Sequence, residues 1–184
     1  MLDVVLDVSF LIPCCAKSEE DKRGIRKLGD VLNDMEVTLY LSRRLIRVYR
    51  TKIRSEVDRC KCHPLPRFHA SFLRVLDHLV RVSYTRSALC NSKKLGKTRI
   101  WYHILERSRV ERYDVTDIGL DSEEDREIIR VALAATRFTN NVFVVTVDYH
   151  FFMQLDLDGL RRKYEHAERI NVIKPQDLLQ DLTS

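Results

Sequence analysis

VVLD, at Val4 to Asp7, and VFVVTVD, at Val142 to Asp148, are two apolar runs that each end on an aspartate. Short runs rich in β-branched residues and bounded in this way read as buried strands of a parallel sheet. In open α/β sheets the ligand crevice lies beyond the carboxyl ends of the strands, so both aspartates project toward it. Between the two runs, SEEDREIIRVALAA at Ser122 to Ala135 opens a helix with a knot of acids and continues apolar. Asp125, in the first turn of that helix, is placed to join the pair. Carboxylates converging on one crevice repel one another unless a positive charge sits between them, and a hard divalent cation is the usual answer. The pattern predicts metal-dependent phosphate chemistry.

Working outward, strands and helices alternate from end to end. A helix at about Gly24 to Leu32 precedes a second strand, VTLYL, at Val37 to Leu41. A basic helix follows from Ser42 to roughly Arg59, and Pro64 and Pro66 break the chain. Helical periodicity resumes at Phe68 to Tyr84, followed by a basic loop at Ser87 to Arg99. A short helix is expected at Ile100 to Arg107 and a third strand near Arg112 to Thr116. After VFVVTV come a helix at Leu157 to Ala167, a strand INVI at Ile170 to Ile173, and a closing helix beyond Pro175. The expectation is a single domain over residues 1–184. Its class is a three-layer α/β/α fold with a largely parallel five-stranded sheet, enlarged by a helical middle segment.

At 184 residues the chain can bury a sizeable core as one domain. No run reaches the length that spans a membrane, and the chain opens on a strand-like VVL rather than a basic-then-apolar leader, so a cytoplasmic protein is expected. The odd count of five cysteines lacks framework spacing and suggests reduced thiols. Cys60-Lys61-Cys62-His63 looks metal-like but has no second pair at zinc-finger distance. Charge is uneven: residues 43–112 hold 19 Lys+Arg against 5 Asp+Glu, while the rest holds 13 against 22. A basic middle in an otherwise acidic chain suggests a polyanion partner. Arg43, Arg47, Arg50 and Arg54 recur at helical spacing and share one face, opposite Leu45, Ile46, Tyr49, Ile53 and Val57. A merely solvated helix face would carry the same arginines.

With these motifs in order, the chain resembles the PIN-domain ribonucleases over nearly its whole length. VVLDVSFLI is similar to the family's first strand, with a metal-binding aspartate at Asp7 and a hydroxyl residue at Ser9. DREIIRVALAA resembles the aspartate-headed helix, with Asp125, and VVTVDYHF the strand-end motif, with Thr146 and Asp148. NVIKPQDLLQDL looks like the closing strand, proline and helix. The resemblance implies an Mg²⁺- or Mn²⁺-dependent endoribonuclease, stand-alone or toxin-type. It also implies RNA as substrate, an antitoxin or other protein partner, and a homodimer. Asp7, Asp125 and Asp148 would be catalytic and metal-binding, with Glu124 as a further acid and Ser9 and Thr146 supporting them. Arg43, Arg47, Arg50 and Arg54, with Lys93, Lys94, Lys97 and Arg99, would grip RNA phosphates without reading its bases.

One position departs from the family. Its usual Ser-x-x-Leu-x-x-Glu segment aligns on SRRLIRV, where Val48 replaces the glutamate. A valine neither ligates a metal nor accepts a proton, so the alternative is a degenerate domain that binds RNA or a protein without cutting. Asp121, Glu123 and Glu124 are candidates to fill the gap; Glu56 is poorly placed. Each acid also has a plainer explanation. Ser122 to Asp125 fits a capping box, and Asp7 and Asp148 could each cap the turn that follows. His150 reads as a loop histidine and Trp101 as core, although an aromatic beside Lys97 and Arg99 could stack on a base. A nucleotide-binding or response-regulator-like protein is disfavoured, because no strand is followed by a Gly-rich phosphate loop.

Overall fold

Apolar stretches too short to be helices and buried on both faces assemble as a sheet. The structure, a computed structural model, describes residues 1–13, 16–60, 67–82, 93–94 and 99–183; at 56–60, 75, 77, 82 and 93 the description covers the backbone alone. In chain order the elements begin with β1 (Leu2–Leu6), α1 (Val8–Leu11), α2 (Glu19–Asp34) and β2 (Val37–Ser42). Next come α3 (Arg43–Cys60), α4 (Arg67–Val82), β3 (Lys93–Lys94), β4 (Ile100–Leu105) and α5 (Arg107–Val110). The rest are α6 (Glu123–Ala135), β5 (Val142–Val145), α7 (Tyr149–Met153), α8 (Leu157–Lys163), a 3₁₀ turn (Glu165–Arg169), β6 (Ile170–Ile173) and α9 (Pro175–Thr183).

The described strands lie in the order β3-β4-β2-β1-β5-β6. All neighbours are parallel except the two-residue β3, which runs antiparallel along β4. Five parallel strands flanked by helices make the expected three-layer α/β/α fold, with α3 and α4 as the enlarged helical middle. The third strand is not where the sequence placed it. Ile100–Leu105, expected as a helix, is β4 and pairs with β2 over its whole length. Only Trp101 among its six residues is incompletely buried, so the strand shows no polar alternation to betray it. The strand expected at Arg112–Thr116 is a turn instead. Asp114 Oδ1 accepts the Thr116 amide at 3.1 Å and its hydroxyl at 2.7 Å, a local bond that competes with sheet pairing.

α6 covers one face of the sheet. Ser42 Oγ donates to Glu127 Oε1 at 2.5 Å, and the Tyr40 ring stacks on Phe138 with centroids 6.3 Å apart. α2 packs against α9 and α4 in the other helical layer, with Ile25, Leu28 and Leu32 wholly buried. Tyr49 anchors α3: its ring meets Phe72 edge-on at 5.8 Å and its hydroxyl donates to the Leu6 carbonyl. Burying such a side chain contributes about 1.5–3 kcal/mol and fixes α3 against the end of β1. Gly119 latches two later elements together. Its φ is +80°, and a Cβ there would fall 1.9 Å from the Gln154 carbonyl oxygen. Beside it the Asp156 amide donates to the Ile118 carbonyl at 2.9 Å, tying the loop before α6 to the segment after α7. No helix among the described residues is long and apolar enough to cross a membrane.

Candidate functional site

β1 and β5 are neighbours in the sheet, so the chain leaves both at the same edge and delivers Asp7 and Asp148 side by side. The N-terminus of α6 brings Asp125. All three carboxylates line one cavity of about 670 Å³, with Ser9, Val48, Lys52, Glu124, His150 and Lys174 also in its wall.

Asp7 is the fixed member, 4 % exposed. Its side chain makes no capping bond to α1; Oδ2 instead accepts from the Ser9 hydroxyl and, at 2.7 Å, from Thr146 Oγ1. The two hydroxyl oxygens lie 3.2 Å apart, and each is held by a backbone amide. Val147 N donates to Ser9 at 3.1 Å and Asp148 N to Thr146 at 2.9 Å. Both hydroxyl protons are thereby aimed at Asp7. Burial pushes the Asp7 carboxyl above its ordinary value, against the pull of these two bonds, and the charge of Asp148 adds to the rise.

Asp125 is pushed up to about 6, first by burial and then by the charges of Asp7 and Asp148, with Lys52 opposing. The helix start is capped by Ser122, whose Oγ accepts the amides of Glu124 at 3.1 Å and Asp125 at 3.4 Å. The cap is therefore a serine, and the Asp125 carboxyl faces the cavity. Asp148 has a double role. Its Oδ1 caps α7 by accepting the His150 amide at 3.0 Å, and the carboxylate still lines the cavity.

Val48 lines the same wall. One turn on, at helical spacing i+4, Lys52 places its ammonium against Glu124 Oε2. Sequence reasoning missed Lys52, whose signal was its four-residue step from Val48. Glu124 is thus in the cavity but already paired. Glu123, the neighbouring acid, turns away to Arg44 at 3.1 Å and to Arg130. Asp121 is not among the cavity-lining residues, and the Glu56 side chain lies outside the described residues. Among the described residues no group of three His, Cys, Asp or Glu is arranged to hold a metal ion.

The expected RNA-binding set divides. Arg43 and Arg47 line a second cavity, of about 690 Å³, with Arg44, Arg107 and Arg130. It contains Glu127, 4 % exposed, also missed from the sequence; burial raises its carboxyl while Ser42 and Arg130 pull it down. Arg50 and Arg54 are exposed on α3 and line neither cavity. Lys94 and Arg99 are not brought to the carboxylates. Arg99 precedes β4 and donates to the Asp34 carbonyl at 3.2 Å, and Lys94 pairs with Trp101 at that same amino-terminal end of the sheet. In a parallel sheet that end is opposite the one bearing Asp7 and Asp148. Lys97 and the Cys62-His63 pair lie outside the described residues, as do the side chains of Lys93 and Cys60.

No family model matches this chain, and no curated protein or solved structure matches it either.

Proposed function

We propose that the protein is a PIN-type endoribonuclease that hydrolyses RNA phosphodiester bonds with Mg²⁺ or Mn²⁺. The observation that carries this proposal is the meeting of Asp7, Asp125 and Asp148 in one cavity at the carboxyl end of the sheet. The donor chemistry fits a hard cation: an all-oxygen set in which the charge of Asp148 helps raise the Asp7 carboxyl and the charges of Asp7 and Asp148 help raise that of Asp125. Asp7, Asp125 and Asp148, which are not pre-arranged around an ion, would draw together to hold it, with Glu124 joining if it parts from Lys52. A bound ion would supply charge neutralisation at the phosphate and a water of lowered pKa.

The chain's own groups do the rest. Ser9 and Thr146 hold Asp7 Oδ2 in one orientation, so the most buried carboxylate is preorganised. Lys52 and Lys174 in the cavity wall offer positive charge to a phosphate entering from solvent. Arg43 and Arg47, on the same helix as Val48, extend that positive surface toward the second cavity.

Val48 and Lys52 favour a second reading, a degenerate domain that binds RNA without cutting it. An apolar side chain stands where a fourth acid would add charge, and a built-in cation already neutralises Glu124. Cleavage of single-stranded RNA, with and without Mn²⁺, separates the two in the native chain, Asp7→Asn and Val48→Glu. Metal-dependent activity lost in Asp7→Asn supports the nuclease. An inert native chain that gains activity as Val48→Glu favours the degenerate domain, and activity surviving both EDTA and Asp7→Asn refutes the site.

A further inference from the structure

Among the described residues, α7 is the one element beside the carboxylates that turns large apolar side chains outward. Among the described residues the exposed large hydrophobics are Met1, Phe138, Tyr149, Phe152 and Met153, and three of these five belong to this five-residue helix. Their spacing, i, i+3 and i+4, puts them on one face, while Phe151 between them is 2 % exposed and anchors the helix to the core. Exposing Tyr149 at 59 % and Met153 at 62 % forgoes burial that the same fold gives to Phe151.

Two contacts tell what the face would meet. Tyr149 lines the carboxylate cavity, immediately after Asp148, so an aromatic ring stands at its rim. Lys174 also lines the cavity, and its ammonium lies 5.6 Å from the centre of the Phe152 ring. An aromatic face next to a cation, at the mouth of the carboxylate cavity, matches a nucleotide: a flat apolar base attached to an anion. A protein partner fits less well. Stable protein interfaces bury about 800 Å² on each side, far more than one five-residue helix offers.

We infer that Tyr149, with Phe152 and Met153 beside it, is a stacking platform for an unpaired base of the strand whose phosphate enters the carboxylate cavity. The inference rests on the single-stranded RNA reading above and names the residues that would select strandedness, because a base held in a duplex cannot present its face. Stacking is tolerant of base identity, so the platform selects strandedness rather than sequence.

The test is binding by the full chain in EDTA, read by anisotropy, so that cleavage plays no part. The probes are a labelled twelve-residue oligouridylate and an abasic ribose-phosphate strand of equal length. The native chain should prefer the base-bearing strand. Tyr149→Ala should weaken that strand about tenfold, the order found for losing one stacked base, and leave the abasic strand unchanged. Tyr149→Phe should restore the preference, since the ring and not the hydroxyl does the stacking. Equal affinity for both strands, or an equal loss on both in Tyr149→Ala, overturns the platform while phosphate binding stands. A native chain that binds neither strand, in EDTA or with Ca²⁺ in its place, overturns the platform and the RNA reading together. A fall in sedimenting mass from a pair of chains to one on Tyr149→Ala or Met153→Ser assigns the face to a contact between copies and also overturns it.

Discussion

Replacing Asp125 by Asn should stabilise the metal-free protein at neutral pH and leave it unchanged at pH 4. The Asp125 carboxyl is pushed from 3.8 to about 6, so between these values the folded chain keeps a proton that the unfolded chain releases. Stability therefore falls as pH rises from about 4 to about 6 and stays low above that. A rise of about two units corresponds to ~3 kcal/mol at most, at ~1.4 kcal/mol per unit. Partial exposure screens the neighbouring charges, and Asn gives up the favourable placement of an acid in the first turn of α6, so about 1–2 kcal/mol should remain. In EDTA at pH 7.5, with m of about 2 kcal/mol per M, the urea midpoint of Asp125→Asn should exceed the native one by about 0.5–1 M. At pH 4 the two curves should coincide. A midpoint that falls at pH 7.5 would show that the carboxyl is structurally satisfied as an anion, and the electrostatic description of the cavity would fail.

Three further outcomes follow from the same geometry. Thr146→Val removes one of two hydroxyl donors to buried Asp7 and should cost about 1–2 kcal/mol at pH 7, diminishing at low pH where the carboxyl is protonated; an equal loss at every pH would contradict it. His69, 1 % exposed with Nε2 2.8 Å from the Phe10 carbonyl oxygen, is held near a pKa of about 4 by burial. The unfolded chain gains a proton there first, so His69 should lower stability as pH falls from about 6.5 to 4; an NMR titration placing its pKa above 6 would refute this. Gly119→Ala should lower stability by more than ~1 kcal/mol in urea unfolding, because alanine resists positive φ and its Cβ would strike the Gln154 carbonyl. A neutral effect would mean that the loop before α6 is not latched to the end of α7.

Much of the fold was legible because β1, β2, β5 and β6 are apolar runs with abrupt polar ends. The same abruptness pointed to the candidate site: an aspartate that ends a buried strand has only the carboxyl edge of the sheet to occupy. Asp125 was legible from the acids that open α6, although Ser122 proved to be the cap. β4 was not. Ile100–Leu105 mixes aromatic and branched residues without alternation, and only its pairing with β2 distinguishes it from a helical turn. Tyr113 and Val115 misled because both are buried, as strand residues would be, while Asp114 folds the backbone between them into a turn. Lys52, Glu127 and Tyr149 went unnoticed because their significance lies in what faces them across the fold. Arg99 and Lys94 shared the basic composition of the middle segment, but composition carries no information about which end of a sheet a residue reaches.

The central claim is that Asp7, Asp125 and Asp148 form one cation site, and Mn²⁺ titration followed by calorimetry tests it without reference to catalysis. The native chain should bind weakly, since Val48 supplies no carboxylate and Lys52 holds Glu124. Asp7→Asn and Asp148→Asn should each reduce the affinity at least tenfold, and Val48→Glu should raise it. Native affinity retained in both Asn variants would place any bound metal elsewhere and contradict the account.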